Sequence, residues 1–404
     1  MLPLDILSSH WRLLAFGWLM SFSSGFGQTY FIAIFGGLIR SEFGLSHAVY
    51  GTCYSAGTLA SAGVLLWAGR LIDTRSLASF SAGAVVGLAI ATVLMASAAG
   101  VLTLGIAIFA SRFFGQGLMT HAAMTAMGRY FAAERGRAVS IAALGHVMAQ
   151  AVLPIAAVGL MAFAPWRVIW LMGGAALIAA TLPAILFLLR GAQLRQAKSR
   201  ATEPPPTSLE SAKRDATLRE ALREIRLYAM LPALLAPAFI ATGLIFHQVH
   251  IGAQKGWSLG LMASSLSVYA ACSLVMMLAA GWLVDRCSAK RLLPFSVAPL
   301  AASCAVLAYA TSAPGALTFF GLMGLGSGFT AVLFASIWPE LYGVAHLGAI
   351  RAFGASAMVF ASGLAPAALG ALFDLQWTVS AIALLCAVYC LAASMLALLA
   401  TRRP

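Results

Sequence analysis

One arginine, Arg112, stands deep inside a long apolar run, and the chemistry of the chain is argued from it. Counted from Thr103 it lies nine residues into its run, roughly 13 Å along a helix and near the middle of a ~30 Å hydrocarbon core. An ionisable group at that depth is costly and marks function by default. Gln116, one turn on, shares its face, and Thr120 continues the polar strip obliquely. A guanidinium over such a strip can hold a carboxylate, phosphate or sulfate in bidentate fashion. It can equally act structurally, bonded to neighbouring backbone carbonyls. The twelve Asp and Glu residues all lie at run ends, in loops or in tails, with Glu340 and Asp374 nearest to the apolar runs. A site for lipophilic cations wants a buried carboxylate, so this distribution favours anionic or neutral ligands.

Histidine carries protons near neutrality, and four of the seven lie within apolar runs. His146 has Gln150 one turn later on the same face. His247 and His250 are three apart and share a face, whereas His121 points away from Arg112. Gln28 and Tyr30, roughly 200° apart on a regular helix, and Tyr269 with Ser273, on one face, complete the polar candidates. His121, Met124 and Met127 offer ligands that suit Cu(I). They span about 120° of a helix, and methionines in an apolar chain read as packing. The six cysteines have no disulfide or metal-knuckle spacing. No cofactor or metal is implied, and no cluster has the nucleophile or metal geometry of an enzyme.

The elements that position these groups follow from composition. The 404 residues are 61% hydrophobic and 9% charged, with a mean hydropathy of +0.92. A soluble domain carries about 25% charged residues. In lipid every backbone polar group must be paired internally, which leaves helices or a closed barrel. Barrel strands alternate over about ten residues; these runs are continuous and helix-length. They number twelve: 12–38, 47–69, 77–98, 102–128, 138–163, 167–189, 228–251, 260–284, 292–312, 315–338, 347–372 and 376–399. The fold class is therefore an all-α membrane protein. The first run is too long for a cleaved signal and stays as a span. A polar stretch with three consecutive prolines, 190–226, separates a six-helix bundle at 1–189 from another at 227–404. It reads as a cytoplasmic tether, and 208–226 could form an amphipathic surface helix.

With the N-terminus in the cytoplasm, 21 of the 25 Lys and Arg fall on the cytoplasmic side, and Arg40, Arg167 and Lys255 fall outside. That is the positive-inside asymmetry, with both termini in. The net charge of +13 thus serves orientation in the bilayer and not nucleic-acid binding. The short loops and compact length suggest a bacterial inner membrane, and a monomer is expected.

The two halves repeat. Gly69-Arg-Leu-Ile-Asp73 matches Gly281-Trp-Leu-Val-Asp285 at a shift of 212 residues, which also pairs Tyr130 with Tyr342, Gly136 with Gly348, and Pro154 with Pro366. Six-helix repeats in the same direction are related by an axis along the membrane normal, with a ligand site between the halves near mid-membrane.

The loops Gly69–Arg75 and Gly281–Arg291 resemble the G-x-L-x-D-R-x-G-R-[KR] signature of the major facilitator superfamily, and Arg112-Phe-Phe-Gly-Gln-Gly117 resembles its R-x-x-x-G-x-G segment. The first loop lacks the Arg after Asp73 and is shorter. The resemblance implies a twelve-helix secondary transporter working by alternating access. It also implies a gating latch in which Asp73 and Asp285 meet a helix N-terminus or Arg75, Arg286 and Arg291. Arg351 is expected at the gate with Glu340, or else as a second anchor for substrate. Gly27–Phe31, Ile39–Ser46 and Tyr130–Ser140 resemble the monocarboxylate and oxalate–formate branch, although the eighth run lacks that branch's Asp/Arg pair. The expected function is transport of a small organic anion, such as a monocarboxylate, coupled to protons or to exchange. The alternative is efflux of neutral or amphipathic compounds.

Overall fold

A computed structural model describes residues 4–131, 134–190, 216–343 and 346–402. Among them, eleven helices are long and apolar enough to cross a membrane, or twelve when the bent pair His10–Ile34 and Gly36–Phe43 counts as one span. That pair is α1. The others are α2 (His47–Thr74), α3 (Leu77–Ala96), α4 (Val101–Tyr130), α5 (Gly136–Leu160), α6 (Trp166–Leu189), α7 (Ile225–Phe246), α8 (Leu259–Cys287), α9 (Ala289–Tyr309), α10 (Ala313–Tyr342), α11 (Leu347–Asp374) and α12 (Val379–Thr401). Residues 191–215 of the tether lie outside the described part. From 216 to 226 the expected surface helix is a single turn, Leu218–Ala221, with a reciprocal cap between Thr217 and Glu220.

Hydropathy gave one unbroken first helix; the chain instead breaks it twice. After Ser23 comes a tight turn, Ser24–Gly27, then extended Gln28, then helix Thr29–Ile34. At Phe35 the axis bends by 64°. Ser-Ser-Gly-Phe-Gly is a run of poor helix formers, the usual cause of a kink. Two other helices widen beside this break. Arg112–Met119 in α4 and Leu177–Thr181 in α6 are π-helical, a form that recurs at functional sites. Ser23 Oγ and Thr181 Oγ1 share a hydrogen bond of 3.1 Å. At Gly27 and Gly115 the backbones of α1 and α4 touch: a Cβ on Gly27 would stand 2.2 Å from the Ser111 carbonyl oxygen and 2.8 Å from the Gly115 Cα.

The chain divides into two compact units, Met1–Gly44 with Ala56–Thr207, and Leu45–Ser55 with Ser208–Pro404. In the first, α1 packs on α5, and α3 packs on α4 and α6. Leu13, Phe16 and Met20 of α1 and Ala122, Ala126 and Met127 of α4 belong to its apolar core. In the second, α8 packs on α10, α9 on α12, and α7 on α11 and α12. This unit includes the first turns of α2.

The repeat is visible in local conformation at the same shift of 212. Phe35 and His247 both interrupt a helix, at φ −87° and −93°. Gly44 and Gly256 both cap a helix with positive φ, 61° and 69°. Ser46 Oγ accepts from Val49 N and Ser258 Oγ from Leu261 N, each at 3.2 Å. Pro154 and Pro366 both lie inside a helix.

Candidate functional site

Breaking α1 frees backbone oxygens inside the first unit, and Arg112 answers one of them. Its Nη1 donates to the Gly27 carbonyl at 3.1 Å and to Thr29 Oγ1 at 3.5 Å. Its Nε donates to Thr58 Oγ1 on α2 at 3.2 Å. The side chain is 2% exposed. These three acceptors are uncharged oxygens, so they satisfy donors without cancelling the charge. Arg112 holds the broken helix, and it presents a positive centre there.

Tyr30 and His146 stand close to it. Their rings meet edge to face, centroids 5.7 Å apart, and the Arg112 charge reaches both electrostatically. Tyr30 is 4% exposed, and its hydroxyl has no hydrogen-bond partner among the described residues. A buried hydroxyl left so is a costly state that a ligand would relieve. Ser111 Oγ, beside Arg112 in sequence, is in the same state. Gln28 donates to Ser24 Oγ at 3.4 Å, and Gln150 is buried on α5 one turn beyond His146. The regular-helix angle between Gln28 and Tyr30 does not apply, because Gln28 is extended and no regular helix joins them. Both are buried. Gln116 is half-buried within the π-helical stretch. His121 donates from Nε2 to the Gly69 carbonyl at 3.2 Å, a structural tie for the end of α2.

The remaining ligand candidates lie in the second unit. Tyr269 is half-buried and shares a hydrogen bond with Ser327. Ser273, one turn on, is also half-buried. α8 and α10 cross tightly at these residues: a Cβ on Gly324 would stand 2.3 Å from the Tyr269 carbonyl oxygen. By the repeat, Gly324 is the counterpart of Arg112. His247 donates from Nε2 to the Pro366 carbonyl at 2.9 Å.

At the signature loops the partners differ from those expected. Asp73 accepts from Arg129, at the end of α4, at 2.5 Å. Arg129 also donates to the Ile72 carbonyl at 3.4 Å. Neighbouring Arg75 is exposed and makes no ion pair among the described residues. In the second unit it is Glu340, not Asp285, that meets a helix N-terminus, accepting from Ala289 N at 2.7 Å and Lys290 N at 3.3 Å. Glu340 therefore faces the α9 backbone and not Arg351, which is exposed on α11. Asp285 and Arg291 are exposed, and Arg286 stacks on Trp282 with its guanidinium 3.9 Å from the ring centroid. Sequence reasoning passed over Thr29, Thr58, Arg129 and His47. Arg129 had a signal, a cation in the last turn of a helix; the two threonines had none.

The sequence matches the family model described as the Major Facilitator Superfamily over residues 17–265 and 234–404. The fold is similar to that of a bacterial homologue of the human lysosomal transporter Spinster, at TM-score 0.70 and 16% identity over 99% of this chain and 97% of that one. It is also similar to the nucleoside transporter NupG, at TM-score 0.75 and 14% identity over 98% and 99% of the two chains. At such identities these likenesses bear on the fold alone. No curated protein sequence matches the chain. Span count, family match and folds agree: this is an integral membrane transporter of small molecules, not an enzyme, and the chain belongs to the Major Facilitator Superfamily.

Proposed function

We propose that the chain is a secondary transporter for a small organic anion, coupled to protons or to a counter-substrate, and that Arg112, Tyr30 and His146 recognise the anion. One observation carries the reading: a guanidinium 2% exposed at mid-span, bonded to neutral oxygens, beside a buried phenol without a hydrogen-bond partner. A carboxylate arriving there would gain a charge-assisted bond from Arg112 and a bond from the Tyr30 hydroxyl. The charge asymmetry supports cytoplasmic termini, and the short loops and compact length support a bacterial inner membrane. Asp73 with Arg129 and Glu340 with the start of α9 are the proposed latches. Each ties the cytoplasmic ends of helices within its own unit.

The test is a thermal-shift screen of purified protein with carboxylates, sulfonates and phosphates against nucleosides, amino acids and lipophilic compounds. A ligand that binds only the folded state raises Tm by mass action. Stabilisation by anions is expected, weakened in Tyr30→Phe and lost in Arg112→Gln and Arg112→Lys. A second reading, export of neutral amphipathic compounds, draws on the three hydrogen bonds Arg112 already makes. Stabilisation by lipophilic compounds alone, unchanged in Tyr30→Phe, would establish it and leave Arg112 structural.

A further inference from the structure

Three histidines that are distant in the chain meet where α2 begins. His47 opens α2, while His247 and His250 flank the start of the short helix Gln248–Lys255 that follows α7. The His47 ring centroid lies 4.0 Å from that of His250 and 5.7 Å from that of His247. All three pack on Phe373 of α11, at 5.4, 4.7 and 5.1 Å for His47, His250 and His247. The next residue, Asp374, caps α2: its carboxylate accepts from His47 N at 3.0 Å and Ala48 N at 2.8 Å.

The hydrogen bonds assign the proton positions. Gln254 Oε1 accepts from Val379 N, at the start of α12, at 3.1 Å. A backbone N–H can only donate, so the Gln254 amide is oriented and its NH₂ faces His250 Nε2, 3.0 Å away. His250 Nε2 is therefore an acceptor, and this ring is neutral. His247 is the opposite case, since its Nε2 faces a carbonyl and must carry hydrogen. A proton on His250 would set N–H against N–H at Gln254. The amide would have to turn and give up Val379. The new charge would also stand within 4.0 Å of the His47 ring. Asp374 is the anion nearest the cluster; it caps the α2 backbone, and its charge is coupled to His47. Lys255 is turned to the Ala308 carbonyl and Ser380 Oγ. Tyr50 and Tyr54 lie against Phe246.

We propose that His250 is a proton-binding switch, and that its protonation releases Gln254 from α12 and loosens the first turns of α2 from α7 and α11. His250 is partly exposed and lies four residues past Phe246, where the apolar span of α7 ends. On the topology proposed above this end faces away from the cytoplasm. The inference deepens the coupling to protons and rests on that reading for its role in transport, though not for the switch itself.

The experiment is hydrogen–deuterium exchange of full-length protein without ligand, at acid and neutral pH, corrected for intrinsic exchange. The starts of α2 and α12 are read against the start of α3. In the wild type both should exchange about tenfold faster at acid pH, within the usual range for coupled sites. His250→Gln should be slow at both pH values and His250→Lys fast at both. If His250→Gln does not fold, His47→Gln gives the second reading. Removing the neighbouring ring lowers the penalty on a charged His250 and should shrink the response. Equal corrected exchange at both pH values, or a pH response that survives in His250→Gln, overturns the switch. The same protein is screened with anions. Anion stabilisation without the exchange response sinks the switch alone, and the response without anion stabilisation sinks the anion reading alone.

Discussion

Replacing Gly27 with alanine tests the contact that holds the candidate site together. The new Cβ would stand 2.2 Å from the Ser111 carbonyl oxygen and 2.8 Å from the Gly115 Cα. Both neighbours are backbone, so neither can swing aside. Restoring a normal separation of about 3.5 Å means moving α1 and α4 apart by roughly 1 Å. The bond from Arg112 to the Gly27 carbonyl is 3.1 Å long and fails once stretched past about 3.5 Å. Overpacking costs about 1–3 kcal/mol, and a lost hydrogen bond to a buried charge about 1.5–3 kcal/mol. The sum of about 2.5–6 kcal/mol corresponds to a fall in Tm on the order of 10 °C. The control is Gly83→Ala in α3, where a Cβ meets nothing within 4 Å and the change should stay within about 1 kcal/mol. Tm of the purified variants in detergent is the readout. A Gly27→Ala protein that melts with Gly83→Ala would refute the tight crossing and, with it, the cradle drawn around Arg112.

Two further outcomes follow from the cytoplasmic ties. Asp73 and Arg129 are 66% and 30% exposed in their side chains, so Asp73→Asn should cost under about 1 kcal/mol in a melting curve while changing the transport rate; an unchanged rate would remove the pair from the gate. Glu340→Gln weakens a charged cap on α9 and should cost about 1 kcal/mol, whereas Arg351→Gln should leave Tm unchanged, which a melting comparison of the two variants checks.

How far the sequence could be read depended on the range of the interaction. Spans α2 to α12 were legible because hydropathy is a property of each segment alone. Their ends fell within a few residues of the apolar runs. The breaks in α1 were written in Ser23-Ser24-Gly25 and Phe35-Gly36-Gly37, but averaging over an apolar window hides these three glycines. Arg112 was found because a lone charge in a span is conspicuous. Thr58 and Gly27, which hold it, were not, since small neutral residues carry no signal until the chain is folded. The latch partners failed differently. Adjacent Arg75 looked sufficient for Asp73, yet Arg75 is itself extended where α2 ends, and Arg129 arrives from another helix. His47 was invisible as a partner of His250 for the same reason: only the fold joins them.

The π-helical stretch in α4 parts numerical alignment from spatial phase. α4 and α10 have equal length, Val101–Tyr130 and Ala313–Tyr342, and start and stop at the same shift. One passes through a wider turn at Arg112–Met119, and its counterpart is α-helical throughout. Residues before that turn keep step with their partners in the other half, and residues after it are rotated about the axis. A chimaera that exchanged the later part of α4 for that of α10 would match in alignment and still face the wrong neighbours. Deleting one residue inside Arg112–Met119 is the change that would bring the helix back into step.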